Sequence, residues 1–83
     1  MKNIRKIVNY IKDSNFKINY VNNSVNVIHY DTILEVRDSV ITLKKEDKII
    51  HIKGEDLRLN KLLENEVLVT GLIKSIELYV TYV

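Results

Sequence analysis

From Asn15 onward, apolar and polar residues alternate with a period of two, the pattern of β-strands that bury one face. Ile41 and Leu43 alternate with Val40 and Thr42, and Ile50 and Ile52 alternate with Ile49 and His51. Leu57 and Leu59 flank Arg58, and Leu72, Ile76, Leu78 and Val80 share one parity near the C-terminus. Val, Ile and Thr supply 22 of the last 68 residues, and their branched Cβ suits a pleated sheet better than a helix. The polar clusters Asn22-Asn23-Ser24, Asp38-Ser39, Glu46-Asp47-Lys48 and Glu64-Asn65-Glu66 separate the runs as turns. Six or seven strands of five to nine residues are expected. Links this short favour antiparallel neighbours, because parallel pairs need long crossovers.

The first residues carry a different period. Ile4, Ile7, Val8 and Ile11 recur at i, i+3, i+4 and i+7, with Lys2, Arg5, Lys6 and Lys12 around them. That spacing predicts an amphipathic helix from about Lys2 to Lys12. It would end at Asp13-Ser14-Asn15, whose short side chains compete for backbone hydrogen bonds. So short a helix needs a surface to dock on. The expected organisation is an N-terminal helix and turn over residues 1–15 and a β domain over residues 16–83. The class is mostly β, a mainly antiparallel meander closing into a small barrel or sandwich.

The chain has no proline and only two glycines, Gly54 and Gly71. Each follows an alternating strand, in Ile50-His51-Ile52-Lys53-Gly54 and Val67-Leu68-Val69-Thr70-Gly71, seventeen residues apart. Glycine there is expected to supply a positive φ, a bulge or a close backbone approach. Read as a repeat, the same pattern gives the alternative of a short β-solenoid, although two copies fall short of the three such an architecture needs.

At 83 residues the chain is one domain, near the size at which about 60% of the unfolded surface is buried, so a deep closed active site is not expected. Its 46% hydrophobic and 29% charged residues describe a globular protein. With no cysteine there is no disulfide framework and no thiolate chemistry. Basic residues interrupt the apolar N-terminus, which does not read as a signal peptide, so a cytoplasmic location is expected. The first twenty residues hold five Lys/Arg and one Asp, whereas the rest hold eight Lys/Arg and ten acids. The positive charge therefore belongs to the N-terminal arm.

Four blocks occur in order: His29-Tyr30-Asp31-Thr32-Ile33-Leu34-Glu35-Val36, Val40-Ile41-Thr42-Leu43, Ile52-Lys53-Gly54-Glu55-Asp56-Leu57-Arg58-Leu59 and Val69-Thr70-Gly71-Leu72-Ile73-Lys74-Ser75-Ile76. Together they resemble the YabP/YqfC family of sporulation proteins, in its shorter YqfC-like branch, over about Val25 to Tyr79. The motif positions are Tyr30, Gly54, Leu57, Gly71, Ile73 and Ile76, and His29 stands where the family often has Asn. The resemblance implies a small protein made in the mother cell and serving spore morphogenesis or coat assembly. It implies a protein partner, including a membrane protein, and a place in the mother-cell cytoplasm or peripherally at the forespore outer membrane. It brings no catalytic, cofactor or metal residues.

The residues themselves carry little catalytic chemistry. His29 and His51, the two histidines, each sit between apolar neighbours, so both are read as strand residues facing water. No Ser/His/Asp order, phosphate-cradling glycine loop or HExxH helix is present. Glu35, Glu46, Asp47, Glu55 and Asp56 lack calcium-loop spacing and are read as a solvated surface. No enzyme, metal or cofactor is expected.

Binding is the expected role. Ile49, Val40 and Tyr79 offer a contact patch, and Ile49 and Ile73 lie opposite the core by parity, where a second layer or a second subunit would cover them. A homo-oligomer is expected. The stripe Ile4, Ile7, Val8 and Ile11 would cap the β domain, dock on a partner, or lie on an anionic membrane with its lysines toward phosphate. The alternative is an Sm-like RNA-binding module, since a helix followed by about five strands is also the plan of that family and Ile50-His51-Ile52-Lys53-Gly54 resembles its late segment. The acidic balance of the β region counts against nucleic acid.

Overall fold

A computed structural model describes residues 4–6 and 16–81 of the chain. Seven strands form one sheet: β1 (Ile4–Lys6), β2 (Lys17–Val21), β3 (Ser24–Ile28), β4 (Thr32–Val36), β5 (Val40–Lys45), β6 (Lys48–Leu63) and β7 (Glu66–Thr81). The order is β2-β3-β7-β6-β5-β4, with β1 added to β7, and every pair is antiparallel. The mostly β, antiparallel reading therefore holds. The antiparallel pairing replaces the solenoid, and in place of a closed barrel or two separate sheets there is one continuous sheet, unpaired between β2 and β4, that curls on itself.

The expected helix is corrected where it is described. Ile4, Arg5 and Lys6 run as strand opposite Thr81, Val80 and Tyr79. The four stripe residues are all β-branched, a chemistry that favours strand once a sheet edge is available. The other residues of that helix, among them Lys2, Ile7, Val8, Ile11 and Lys12, lie outside the described residues.

The turns fall in the polar clusters. Asn22 and Asn23 have φ of 48° and 60° between paired Val21 and Ser24. Positive φ at both central residues is the two-residue hairpin geometry that matches strand twist, and Asn tolerates it. Glu46-Asp47 and Glu64-Asn65 turn β5 into β6 and β6 into β7.

From β2 onward the meander is interrupted once. β4 to β7 follow one another, but β3 pairs with β7 while β4 lies at the far edge. Ile28 and Thr32 bound this crossover, four Cα-to-Cα steps that reach at most about 14 Å. Four flat inter-strand steps would span about 19 Å. The sheet must therefore curl. Its crossover is held at His29, whose N–H donates to the Asn65 carbonyl at 2.7 Å, and at Tyr30, whose hydroxyl donates to the Glu64 carbonyl at 3.4 Å.

The curl is concentrated in the β6–β7 hairpin. Both strands are 16 residues long, longer than the five to nine expected, because the glycines bend them without ending them. Register slips between Lys53 and Gly54 and between Glu55 and Arg58, so Lys74 on one strand and the Asp56-Leu57 step on the other are bulges. Gly71 has φ of 130°, and a Cβ there would stand 2.6 Å from the Asp56 carbonyl oxygen. A Cβ on Gly54 would collide with the Leu72 carbonyl. The two glycine segments are thus the two sides of one bend. The β4–β5 turn braces it, since Gly54 N–H donates to Ser39 O at 3.0 Å and Leu57 N–H to Asp38 O at 2.9 Å.

Folding at this bend brings two half-sheets together around one core. Val25, Val27, Val67 and Val69 come from one half, and Ile41, Leu43, Ile50 and Ile52 from the other, all fully buried. Phe16, Tyr30, Leu57 and Leu78 complete the cluster. Each such side chain contributes about 1.5–3 kcal/mol of burial. The bulge at Lys74 also reverses the expected parity beyond it. Leu72, expected inward, is 50% exposed, and Ile73, expected outward, packs against the core beside Ile76.

Candidate functional site

The outer face of the β4–β5–β6–β7 half carries two cross-strand rows. Thr32, Lys44, Ile49 and Tyr79 stand in register, with Lys6 of β1 opposite Tyr79. The next row is Glu35, Thr42, His51 and Glu77. On β4 to β7, side chains so placed are neighbours on one face of the sheet. Leu34 joins them through the β4 irregularity between Ile33 and Glu35. A shallow depression of about 610 Å³ lies over this face, lined by Leu34, Thr42, Ile49, His51, Lys53, Glu77, Tyr79 and Thr81.

Its floor is a half-buried apolar and aromatic strip. The rings of His51 and Tyr79 meet at 86° with centroids 5.6 Å apart, a favourable edge-to-face geometry. The Tyr79 hydroxyl donates to Glu77 Oε1 at 2.8 Å, and Lys53 Nζ lies 3.2 Å from the same oxygen. The Tyr79 hydrogen bond, with Lys53 beside it, holds the Glu77 carboxyl below the usual carboxylate range. The same bond to a carboxylate raises the Tyr79 phenol. At the other end of the row, Thr42 Oγ1 donates to Glu35 Oε1 at 3.4 Å and Arg37 Nε lies 2.8 Å from Glu35 Oε2. Both carboxylates on this face are therefore neutralised within it. Lys44, exposed, has no ion pair to another described residue.

The structure brings together some expected site residues and separates others. Ile49 and Tyr79 are direct partners, and Lys6 stands in their row. Val40 is half-buried on the same face opposite Lys53. Ile73 is withdrawn into the core, as described. Tyr30, Gly54, Leu57, Gly71 and Ile76 hold the crossover, bend and core rather than this face. Ile4 and Arg5 lie in β1; Ile7, Val8, Ile11, Lys2 and Lys12 lie outside the described residues. His51 faces outward as read, whereas His29 lies beyond β3 with φ of 65° and is not a strand residue. Lys53, Glu77, Thr42, Leu34 and Lys44 were not singled out from the sequence. The first two share the parity of Ile49 and Tyr79, which was the available signal.

Among the described residues, no three His, Cys, Asp or Glu gather as metal ligands, and no helix is long and apolar enough to cross a membrane. The site offers an apolar floor, fixed polar groups and, among the described side chains, one cation without an ion pair, Lys44, the means of contact and orientation. Comparison with family models, curated proteins and solved structures finds no match to this chain.

Proposed function

We propose that this chain is a non-enzymatic assembly module that binds a protein partner, or a second copy of itself, through the outer face around Ile49 and Tyr79. The observation that carries this reading is the juxtaposition of those two residues on the floor of a shallow depression on the face opposite the core. A volume of about 610 Å³ falls in the range of small-molecule pockets, about 300–1,000 Å³, but those bury most of their ligand. Here the floor is the flank of a sheet. An apolar strip rimmed by paired charges is the anatomy of a protein contact.

The sporulation role rests on the sequence blocks, and with it the mother-cell location and the membrane-protein partner. Two structural details support that resemblance. Position 29, often Asn in the family, has φ of 65°, a conformation that Asn, Asp and His adopt more readily than other non-glycine residues. Both motif glycines sit where a Cβ would collide with backbone.

The test is co-purification from sporulating cells, with light scattering of the isolated chain, for wild type and Ile49→Asp. Loss of partner capture or of self-association in the variant, at unchanged melting temperature, supports the reading. Unchanged capture and unchanged mass refute it. Affinity for RNA with steep salt dependence in place of protein capture would favour the Sm-like alternative.

A further inference from the structure

We infer that the partner segment taken by this face is acidic and apolar: an extended stretch with a carboxylate two residues from an aliphatic side chain. The inference rests on the assembly reading above and names its partner's chemistry.

The argument is one of charge left over. Glu35 is matched by Arg37 at 2.8 Å and by the Thr42 hydroxyl, and Glu77 by Lys53 at 3.2 Å and by the Tyr79 hydroxyl. Lys44 stands next to Ile49 across the β5–β6 pair, exposed and without an ion pair to another described residue. The charge without a counter-charge here is positive, and it borders the apolar strip of Ile49, Leu34 and Tyr79.

Geometry sets the spacing. From Lys44 across Ile49 to Tyr79 is two inter-strand steps, about 10 Å, with the strip's centre about 7 Å from the lysine position. Two residues of extended chain advance about 7 Å and return the side chain to the same face. A Glu-x-Leu stretch thus sets its carboxylate over Lys44 and its aliphatic group over Ile49 and Tyr79.

Two other occupants fit less well. A second copy docked about a two-fold axis here would bring another Lys44 to the same face, like charge toward like. A nucleic acid needs several phosphates neutralised together, whereas this face places carboxylates at both ends of the row beside the lysine.

The test is an NMR amide-shift titration of the full chain with the peptide acetyl-Glu-Ser-Leu-Ser-Glu-amide, alongside the same peptide with Lys for Glu, and with oligouridine. Shifts at Ile49, His51 and Tyr79 with the Glu peptide, and a weaker response to the Lys peptide, are expected. Lys44→Glu should weaken the Glu peptide about tenfold and reverse the preference. Equal response to both peptides, no shift at millimolar peptide, shifts confined to other residues, or oligouridine binding at these residues in preference to the Glu peptide would each overturn the inference. Partner capture that is lost in Ile49→Asp, with no charge preference among peptides, leaves the assembly reading standing and removes only this one.

Discussion

The Tyr79 hydroxyl donates a 2.8 Å hydrogen bond to the carboxylate of Glu77, two residues before it on the same strand face. Each group shifts the other: the carboxyl is held below its usual range, and the phenol is raised above its own.

This pair predicts a late-titrating phenol. The raised Tyr79 favours the neutral phenol, so its contribution is complete below the ordinary phenol range and is lost as pH rises through the raised value. For Glu77 the sign is opposite, the contribution being complete above the ordinary carboxylate range and lost as pH falls through the lowered value. Ultraviolet titration of the tyrosines should show a high-pH component that moves to lower pH in Glu77→Gln. Superimposable curves for the two proteins would refute the pairing.

The bend predicts that alanine is costly at both glycines. Gly54→Ala drives a Cβ into the Leu72 carbonyl and should cost about 3 kcal/mol. For a domain of this size that lowers the melting temperature by about 15 °C. Gly71→Ala meets the Asp56 carbonyl at 2.6 Å with φ of 130°, and should cost about 2 kcal/mol. Thermal denaturation decides it, and melting temperatures close to wild type would show that the strands bend without glycine.

Tyr30 tests packing against hydrogen bonding at the crossover. Its ring is buried at 6% exposure, while its hydroxyl bond to the Glu64 carbonyl is long at 3.4 Å. Tyr30→Phe should therefore cost less than about 1 kcal/mol, and Tyr30→Ala about 3–4 kcal/mol through the cavity it leaves. Chemical denaturation of the pair separates the two. A large loss in the Phe variant would place the stabilisation in the hydroxyl.

Lys48 is a buried cation, 8% exposed, with Nζ 3.8 Å from Glu46 and 3.6 Å from Asp47. Those contacts are loose, and the side chain is buried on the strand parity of Ile50 and Ile52. Lys48→Met keeps the stem and should leave stability within about 1 kcal/mol of wild type. Lys48→Ala should cost about 2 kcal/mol. An equal loss in both variants would assign the stabilisation to the ammonium group.

The core was legible where pairing stays regular. Ile41, Leu43, Ile50 and Ile52 were expected inward by alternation and are fully buried. Ile49 and His51 were expected outward, and they line the site. Legibility ends at the bulges. Leu72 and Ile73 exchange faces because Lys74 is an extra residue in β7, and nothing in the order Leu72-Ile73-Lys74 marks which residue the partner strand will skip. The helical spacing of Ile4, Ile7, Val8 and Ile11 likewise competed with their β-branched chemistry. Over Ile4–Lys6 the free edge of β7 resolved the contest in favour of strand.

Period-two alternation, branched side chains and polar turn clusters are local properties, set by neighbours one and two residues away, and from them the strands, their turns and most of the buried face follow. Which strands pair, where two long strands bend, and which outward residues share a row depend on contacts between residues far apart in the chain. Leu34, Lys44, Ile49, His51, Glu77 and Tyr79 become one surface through register across four strands. Register is fixed by loop reach, bulges and close backbone approach in the folded sheet, which is why the chain order of these residues does not display the site.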